Sequence, residues 1–324
     1  MSAPSPTLVN VAPLQPAPAR PGGADLQARL AAALVEHAPV NPATEPRLRA
    51  AIGMLAGRPG KLVRAQLAYA TATAHGVAAP VGLQLAVAVE YYHLASLILD
   101  DLPCMDDAAV RRGQPCVHRV YGEATAVLAA LAFINRAYAT FGEAFASFPP
   151  AVRRRAHAAL EASLGPNGLV GGQARDLGFA RGPRTTREVG RVALAKTGTT
   201  FRLGLAIPAL LARPSAAEQH ALNALCTHWA LAFQALDDLQ DVLGNSVDTQ
   251  KTTQRDRALT RPNLALALGV SASRVRINRL LTLAARQVDQ LGRLRPAWGY
   301  LHGFQRSFAE AAAPLAGKLR RLAA

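Results

Sequence analysis

Residues Tyr91–Gly122 read YYHLASLILDDLPCMDDAAVRRGQPCVHRVYG. From His93 to Leu99 the run is apolar, and it leads into two acid pairs, Asp100-Asp101 and Asp106-Asp107, followed by Arg111-Arg112. Such a run reads as a helix that ends in the acids. Leu and Ala recur at helical spacing through the rest of the chain, starting with Leu26, Leu30 and Leu34 behind an N-cap expected at Asp25. Short breakers separate the segments: Gly57–Gly60, Ala78–Pro80, Phe148–Pro150 and Gly182-Pro183. Alternating β-branched runs are few, so no sheet is expected. The fold class is therefore all-α, one domain of about ten or more helices over residues 24–324. Residues 1–23 hold six prolines and end in Pro-Gly-Gly, which predicts a disordered leader.

The chain has 324 residues, half of them hydrophobic and 18% charged, which supplies a large core and excludes a disordered chain. A charge, proline or strongly polar residue breaks every apolar run before the ~18 residues of a membrane span, so no transmembrane segment is expected. The start, MSAPSPTLVN, lacks the basic-then-apolar pattern of a secretory signal. Three cysteines at irregular spacing give neither a disulfide framework nor a zinc site. A cytoplasmic protein is expected.

Lys and Arg number 36 against 21 Asp and Glu, a net charge of +15. That balance suits nucleic acid, an anionic membrane surface or phosphorylated small molecules. After Ser271 the basic residues stand mostly singly among Leu, Ala and Val, with no basic–aromatic interleaving on which bases would stack. Nucleic acid is not expected as a partner, and the abundance of Arg and Ala also fits a coding bias.

Four carboxylates within eight residues repel one another, and they meet the negative end of a helix dipole. Mg²⁺ would relieve both, since it takes oxygen ligands and keeps phosphate and water as co-ligands. A solvated acidic loop is the plainer alternative. A second cluster, AFQALDDLQDV at Ala232–Val242, tips the balance. It puts Asp237 and Asp241 four apart on one helical face, beside Asp238. Lys196-Thr197, Gln234 and Lys251 supply cations and polar groups near the two clusters. Facing acids with isolated cations are how a diphosphate would be held: metals bridge carboxylate to phosphate, and Lys and Arg take the remaining oxygens. Metal-dependent nucleases also cluster Asp, but normally on strands.

These residues resemble the trans-isoprenyl diphosphate synthases. SLILDDLPCMDDAAVRRG is similar to their first aspartate-rich motif in its DDxxxxD form, and FQALDDLQD to their second, DDxxD. Gly60-Lys61-Leu62-Val63-Arg64-Ala65 resembles a GKxxRP segment, Gly172–Asp176 a GQxxD segment and Lys196-Thr197 a KT pair, all in family order. The wording is most like bacterial geranylgeranyl diphosphate synthases of carotenoid pathways. The resemblance implies an isoprenoid-synthase-like bundle around a central apolar cavity, a homodimer, and three Mg²⁺. Asp100, Asp106 and Asp237 would be the principal ligands, with Asp101, Asp238 and Asp241 in the same group. Arg111, Lys196, Thr197, Gln234 and Lys251 would surround the allylic diphosphate; Lys61, Arg64, His93 and Arg112 would hold isopentenyl diphosphate. The family's Pro after Arg64 is Ala65 here, and a usual Arg is Leu62. A downstream Gly-Lys reads Thr260-Arg261 if Gly269 sets the register, making Arg261 a further substrate ligand; a two-residue shift puts Leu259 there instead.

The implied chemistry is ionisation of the allylic diphosphate, attack by isopentenyl diphosphate, and loss of a proton. Ala95 and Ser96, five and four residues before Asp100, are small, which predicts growth past fifteen carbons to geranylgeranyl diphosphate from farnesyl diphosphate. The tunnel floor is expected around Leu128–Phe133. Two other activities fit parts of the pattern: a non-catalytic or modulatory paralogue, and a class I terpene cyclase, for which Lys61, Arg64 and Arg112 would be idle.

Overall fold

A computed structural model describes residues 23–182, 185–243, 256 and 259–322. Its central element is α4 (Ala79–Asp100), which starts with Pro80 in the first turn, where a missing N–H costs nothing. Leu85, Val87, Val89, Tyr91, Leu94 and Ile98 bury several of its faces, as expected of a helix surrounded by others. α6 (Glu123–Ala146) and α3 (Val63–Ala74) pack along it. With α1 (Gly23–Glu36), α2 (Pro46–Ala56) and α7 (Pro150–Leu164) they enclose a first core that includes Leu30, Ile52, Tyr91, Phe133, Phe141 and Leu160. The Tyr91 hydroxyl donates to the Leu34 carbonyl at 2.9 Å, so even this core phenol is satisfied.

A second core lies between α9 (Thr186–Phe201), α11 (Ala216–Leu243), α12 (Leu264–Leu268), α13 (Val270–Leu294) and α14 (Leu301–Leu322). Phe201, Trp229, Leu281, Val288 and Trp298 fill it. Glu218 is buried there but fully engaged, by Trp298 Nε1 at 2.8 Å and by Arg295 at 2.8 Å. The remaining helices are α5 (Val117–Tyr121), α8 (Leu169–Gly178) and α10 (Ile207–Leu211). Between α9 and α10 the chain makes a π turn over Arg202–Ala206, next to Pro208, which has no N–H to continue an α-helical ladder.

Two sequence expectations change. A two-stranded hairpin exists, Val110–Arg111 against Gln114–Pro115, where no sheet was expected. Its loop is Arg112-Gly113, with φ of 54° and 72°, the two positive values of a type I′ turn. Asp25 falls in the first turn of α1 rather than capping it, because the helix starts at Gly23; the rest of the expected leader lies outside the described residues. Two helices, α4 and α6, are long and apolar enough to cross a membrane by length and composition alone, a test that core helices also pass. In the fold they pack on each other, and the apolar window of α4 is 67% buried.

Candidate active site

The C-terminal end of α4 shows how the first acidic motif folds. The Asp106 N–H donates to the Asp100 carbonyl at 2.9 Å, and the Ala108 N–H to the Asp101 carbonyl at 3.1 Å. Loop amides thus satisfy the carbonyls a helix leaves orphaned, and the loop folds back over the helix end. Asp106 is thereby returned to the neighbourhood of Asp100. Arg111 fixes the hairpin to the same place: its Nε lies 2.8 Å from both oxygens of buried Asp101.

The second acidic motif comes from α11, on the other core. Asp100, Asp106 and Asp237 line one cavity of about 1310 Å³ between the two cores. Lys61, Arg64, His93, Arg111, Arg112, Lys196, Thr197, Gln234 and Arg261 line it too. Lys196 Nζ is 2.8 Å from Asp176 and 3.5 Å from Asp100, which ties α9 to α8 and to the first motif. The α8–α9 approach depends on Gly172, where a Cβ would lie 2.7 Å from the carbonyl carbon of Ala195 and the nitrogen of Lys196. Arg261 crosses from the far wall, donating to the Met105 carbonyl at 2.7 Å and reaching Asp106 at 3.3 Å. This places Arg261, not Leu259, at the cavity.

Electrostatics follow the geometry. Burial pushes Asp100 up to about 6 although Lys196 pulls it down. Burial works against the charge of Lys196, yet Asp100 and Asp176 outweigh it and raise its affinity for the proton. His93 is held well below its ordinary value by burial and by Arg64, whose Nη1 is 3.3 Å from Nε2; it is a neutral ring at neutral pH. Thr197 Oγ1 donates to Gln234 Oε1 at 2.6 Å, and Gln234 Nε2 donates to Asp238 at 2.8 Å. The carboxylate therefore fixes which way round the amide stands.

Three of the six sequence-assigned acids do not line the cavity. Asp101 does not line the cavity, because Arg111 grips its carboxylate on both oxygens. Asp238 is 1% exposed and accepts from Gln234 and from the Leu264 N–H at 2.7 Å, so it orients neighbours. Asp241 is buried on α11 outside the lining. Lys251 lies outside the described residues. Ala95 and Ser96 line the cavity as expected. The floor does not fall at Leu128–Phe133: Leu128 is 53% exposed and Phe133 is sealed in the first core. From α6 the lining residues are Ile134 and Tyr138, opposite Tyr92 of α4. The Tyr92 and Tyr138 rings meet edge-on at 5.3 Å.

Several lining residues escaped the sequence. Asp256 is pushed up to about 7, mainly by burial and also by nearby Asp241 and Asp237; Asn263 holds it at 2.8 Å. Glu90 is 1% exposed and lies near Arg64 and Arg112, whose charges oppose the rise that burial causes in its own proton affinity. A carboxylate in an apolar helix one turn before His93 was the available signal, since a buried charge needs a partner. Phe304 and Phe308 of α14 close the apolar wall beside Phe201 and Phe233. No sequence motif marks them.

The residues fit Mg²⁺. The donors on both walls are carboxylate oxygens, and two of those carboxyls, Asp100 and Asp256, hold protons more tightly than usual. No group of three or more His, Cys, Asp or Glu among the described residues is placed to hold an ion unaided. Mg²⁺ takes such oxygen ligands and completes its shell with phosphate and water.

Known proteins share this architecture and sequence. The geranylgeranyl diphosphate synthase of Pantoea ananas is 37% identical over 233 residues, covering 71% of this chain and 75% of that protein. The farnesyl diphosphate synthase of Geobacillus stearothermophilus is 32% identical over 230 residues, covering 71% and 77%. Among solved structures, a geranyltransferase from Helicobacter pylori complexed with magnesium and isoprenyl diphosphate superposes with a TM-score of 0.77 at 25% identity, covering 91% of this chain and 96% of that one. An FPP/GFPP synthase from Zymomonas mobilis gives 0.74 at 29%, covering 87% and 97%. The polyprenyl synthetase family matches residues 45–298. Acids on two facing walls, cations between them and a shared sequence over most of the chain have one explanation: this protein belongs to the polyprenyl synthetase family and is a prenyltransferase of the trans-prenyl diphosphate synthase type.

Proposed function

We propose that the protein condenses isopentenyl diphosphate with farnesyl diphosphate to give geranylgeranyl diphosphate and pyrophosphate. One observation carries this: Asp100 and Asp237, from separate motifs, line a single cavity whose other end is apolar. At about 1310 Å³ the cavity exceeds the ~300–1,000 Å³ usual for small-ligand pockets, as two substrates require.

Mg²⁺, three ions in this proposal, would be held by Asp100, Asp106 and Asp237 and would supply Lewis-acid stabilisation of the leaving pyrophosphate. Lys196, Arg111 and Arg261 face the allylic diphosphate. Lys61, Arg64 and Arg112 receive that of isopentenyl diphosphate, with neutral His93 beside Arg64. The C1–O bond of the allylic substrate breaks and its electron pair leaves on pyrophosphate. The double bond of isopentenyl diphosphate then attacks C1 through C4, and a C2 proton passes to the departing pyrophosphate. Gln234, its oxygen turned toward Thr197 by Asp238, offers a negative dipole to the allylic cation. Leu99, Phe201, Phe233 and Phe308 keep out water that would quench that cation.

Product length rests on Ala95 and Ser96 leaving the tunnel open and on Tyr92, Ile134 and Tyr138 ending it. A homodimer is supported by the exposed apolar face of α6, formed by Val127, Leu128 and Leu131. The cytoplasm is the proposed location. The test incubates the full chain with Mg²⁺, labelled isopentenyl diphosphate and each allylic primer, and identifies products by chromatography. A C20 product from farnesyl diphosphate is expected. No product with any primer overturns the synthase in favour of a modulatory paralogue, and a cyclic hydrocarbon from one primer overturns it in favour of a cyclase.

A further inference from the structure

The net charge of +15 is not used up by the cavity. On α13 it is organised. Ile277, Leu280, Leu281, Ala284, Val288 and Leu291 lock the inner face of this helix into the second core, so its outer face cannot roll. On that outer side Arg279, Arg286 and Arg293 are all exposed and stand seven residues apart. Seven residues are nearly two turns, so the three form a row with about 10.5 Å between neighbours and about 21 Å overall. Arg274 and Arg276 add partly exposed charge near the helix start. None of the five guanidinium groups has an ion-pair or hydrogen-bond partner among the described residues. The one acid of the helix, Asp289, faces His302 at 3.8 Å. Val275, 65% exposed, and Leu294, 44% exposed, bracket the row with apolar groups.

We propose that the outer face of α13 docks the protein on an anionic lipid bilayer. Charge complementarity carries this: five arginines on one helix, with no partner among the described residues, are within the range of basic clusters that hold proteins to acidic membrane surfaces. A row along a helix packed into the second core meets a flat surface along its length, and the flanking Val275 and Leu294 suit the headgroup boundary. The described helix has no aromatic residue on which bases would stack, which argues against single-stranded nucleic acid. The choice of a bilayer also rests on the proposed product, whose long apolar tail belongs in lipid, where a membrane-bound prenyl-consuming reaction would take it.

The test measures partition of the full chain onto vesicles of phosphatidylcholine and phosphatidylglycerol at three to one, and onto phosphatidylcholine alone. No turnover is needed, so the outcome is independent of which product the enzyme makes. Binding is expected on the anionic vesicles only, and it should fall in high salt. R279S/R286S/R293S should weaken it about a hundredfold, at about fivefold per arginine, and R286S alone about fivefold. The control is R153S/R154S/R155S on α7, three exposed arginines without partners among the described residues, whose removal changes the net charge equally. Those three are consecutive and fan around their helix, so the control should weaken binding less than tenfold. Equal loss in both triple variants overturns the proposal, since net charge alone would explain it. So does failure to bind anionic vesicles, or tighter binding to a DNA duplex at the same salt through the same three arginines.

Discussion

Thr260 has φ of 54°, a region a β-branched residue enters only at a cost. Thr260→Gly should therefore stabilise the protein by about 1 kcal/mol in urea unfolding; a loss would show that the strain is not there. His93 gives a pH signature. Its folded affinity for protons is depressed, so the unfolded chain takes up a proton below about pH 6.5 and the fold does not. Stability supplied by neutral His93 is present above that pH and is lost as pH falls, by up to about 1.4 kcal/mol per unit. His93→Gln should flatten the fall between pH 6.5 and 5 in denaturant titrations, and an unchanged slope would refute the assignment. Ala95→Phe should shift the main product from C20 to C15 in the primer assay, because the ring would fill the shaft one turn below Asp100. Unchanged C20 output would remove Ala95 from the lining. Residue type and spacing made Asp100, Asp106 and Asp237 legible in the sequence. They did not separate Asp237 from Asp238, because that depends on which side of α11 faces the void.

At the scale of elements, α8 and α9 meet backbone to backbone at Gly172, and this contact brings Asp176 to Lys196. Gly172→Ala should force the helices apart, costing about 1–3 kcal/mol of stability and lowering turnover. Wild-type melting and rates would show that the approach is slack. Long helices such as α4, α6 and α11 were readable because apolar residues repeat over many turns. The hairpin was not, since strands of two residues have no period, and its signal was confined to Arg112-Gly113 in the turn. That turn nonetheless sends Arg111 to Asp101 and Arg112 to the cavity. The contribution of α14 through Phe304 and Phe308 was invisible because any core helix would carry aromatics at that spacing.

Over the whole molecule, two apolar cores stand on either side of a void, and the two acidic motifs were far apart in sequence because each belongs to a different core. Sequence alone could state that the motifs converge but not what lies between them. The hollow has an outcome that needs no catalysis. Its greasy end lacks the neighbours that close packing would give it, so an incoming hydrocarbon chain finishes the protein's own interior. Each buried methylene adds up to ~0.8 kcal/mol, and melting temperature measured with unreactive geranyl, farnesyl and geranylgeranyl diphosphate analogues should climb like a staircase. The step at which it levels off is a ruler, marking the depth of Tyr92 and Tyr138 in isoprene units; a flat series would mean that the shaft is closed to lipid.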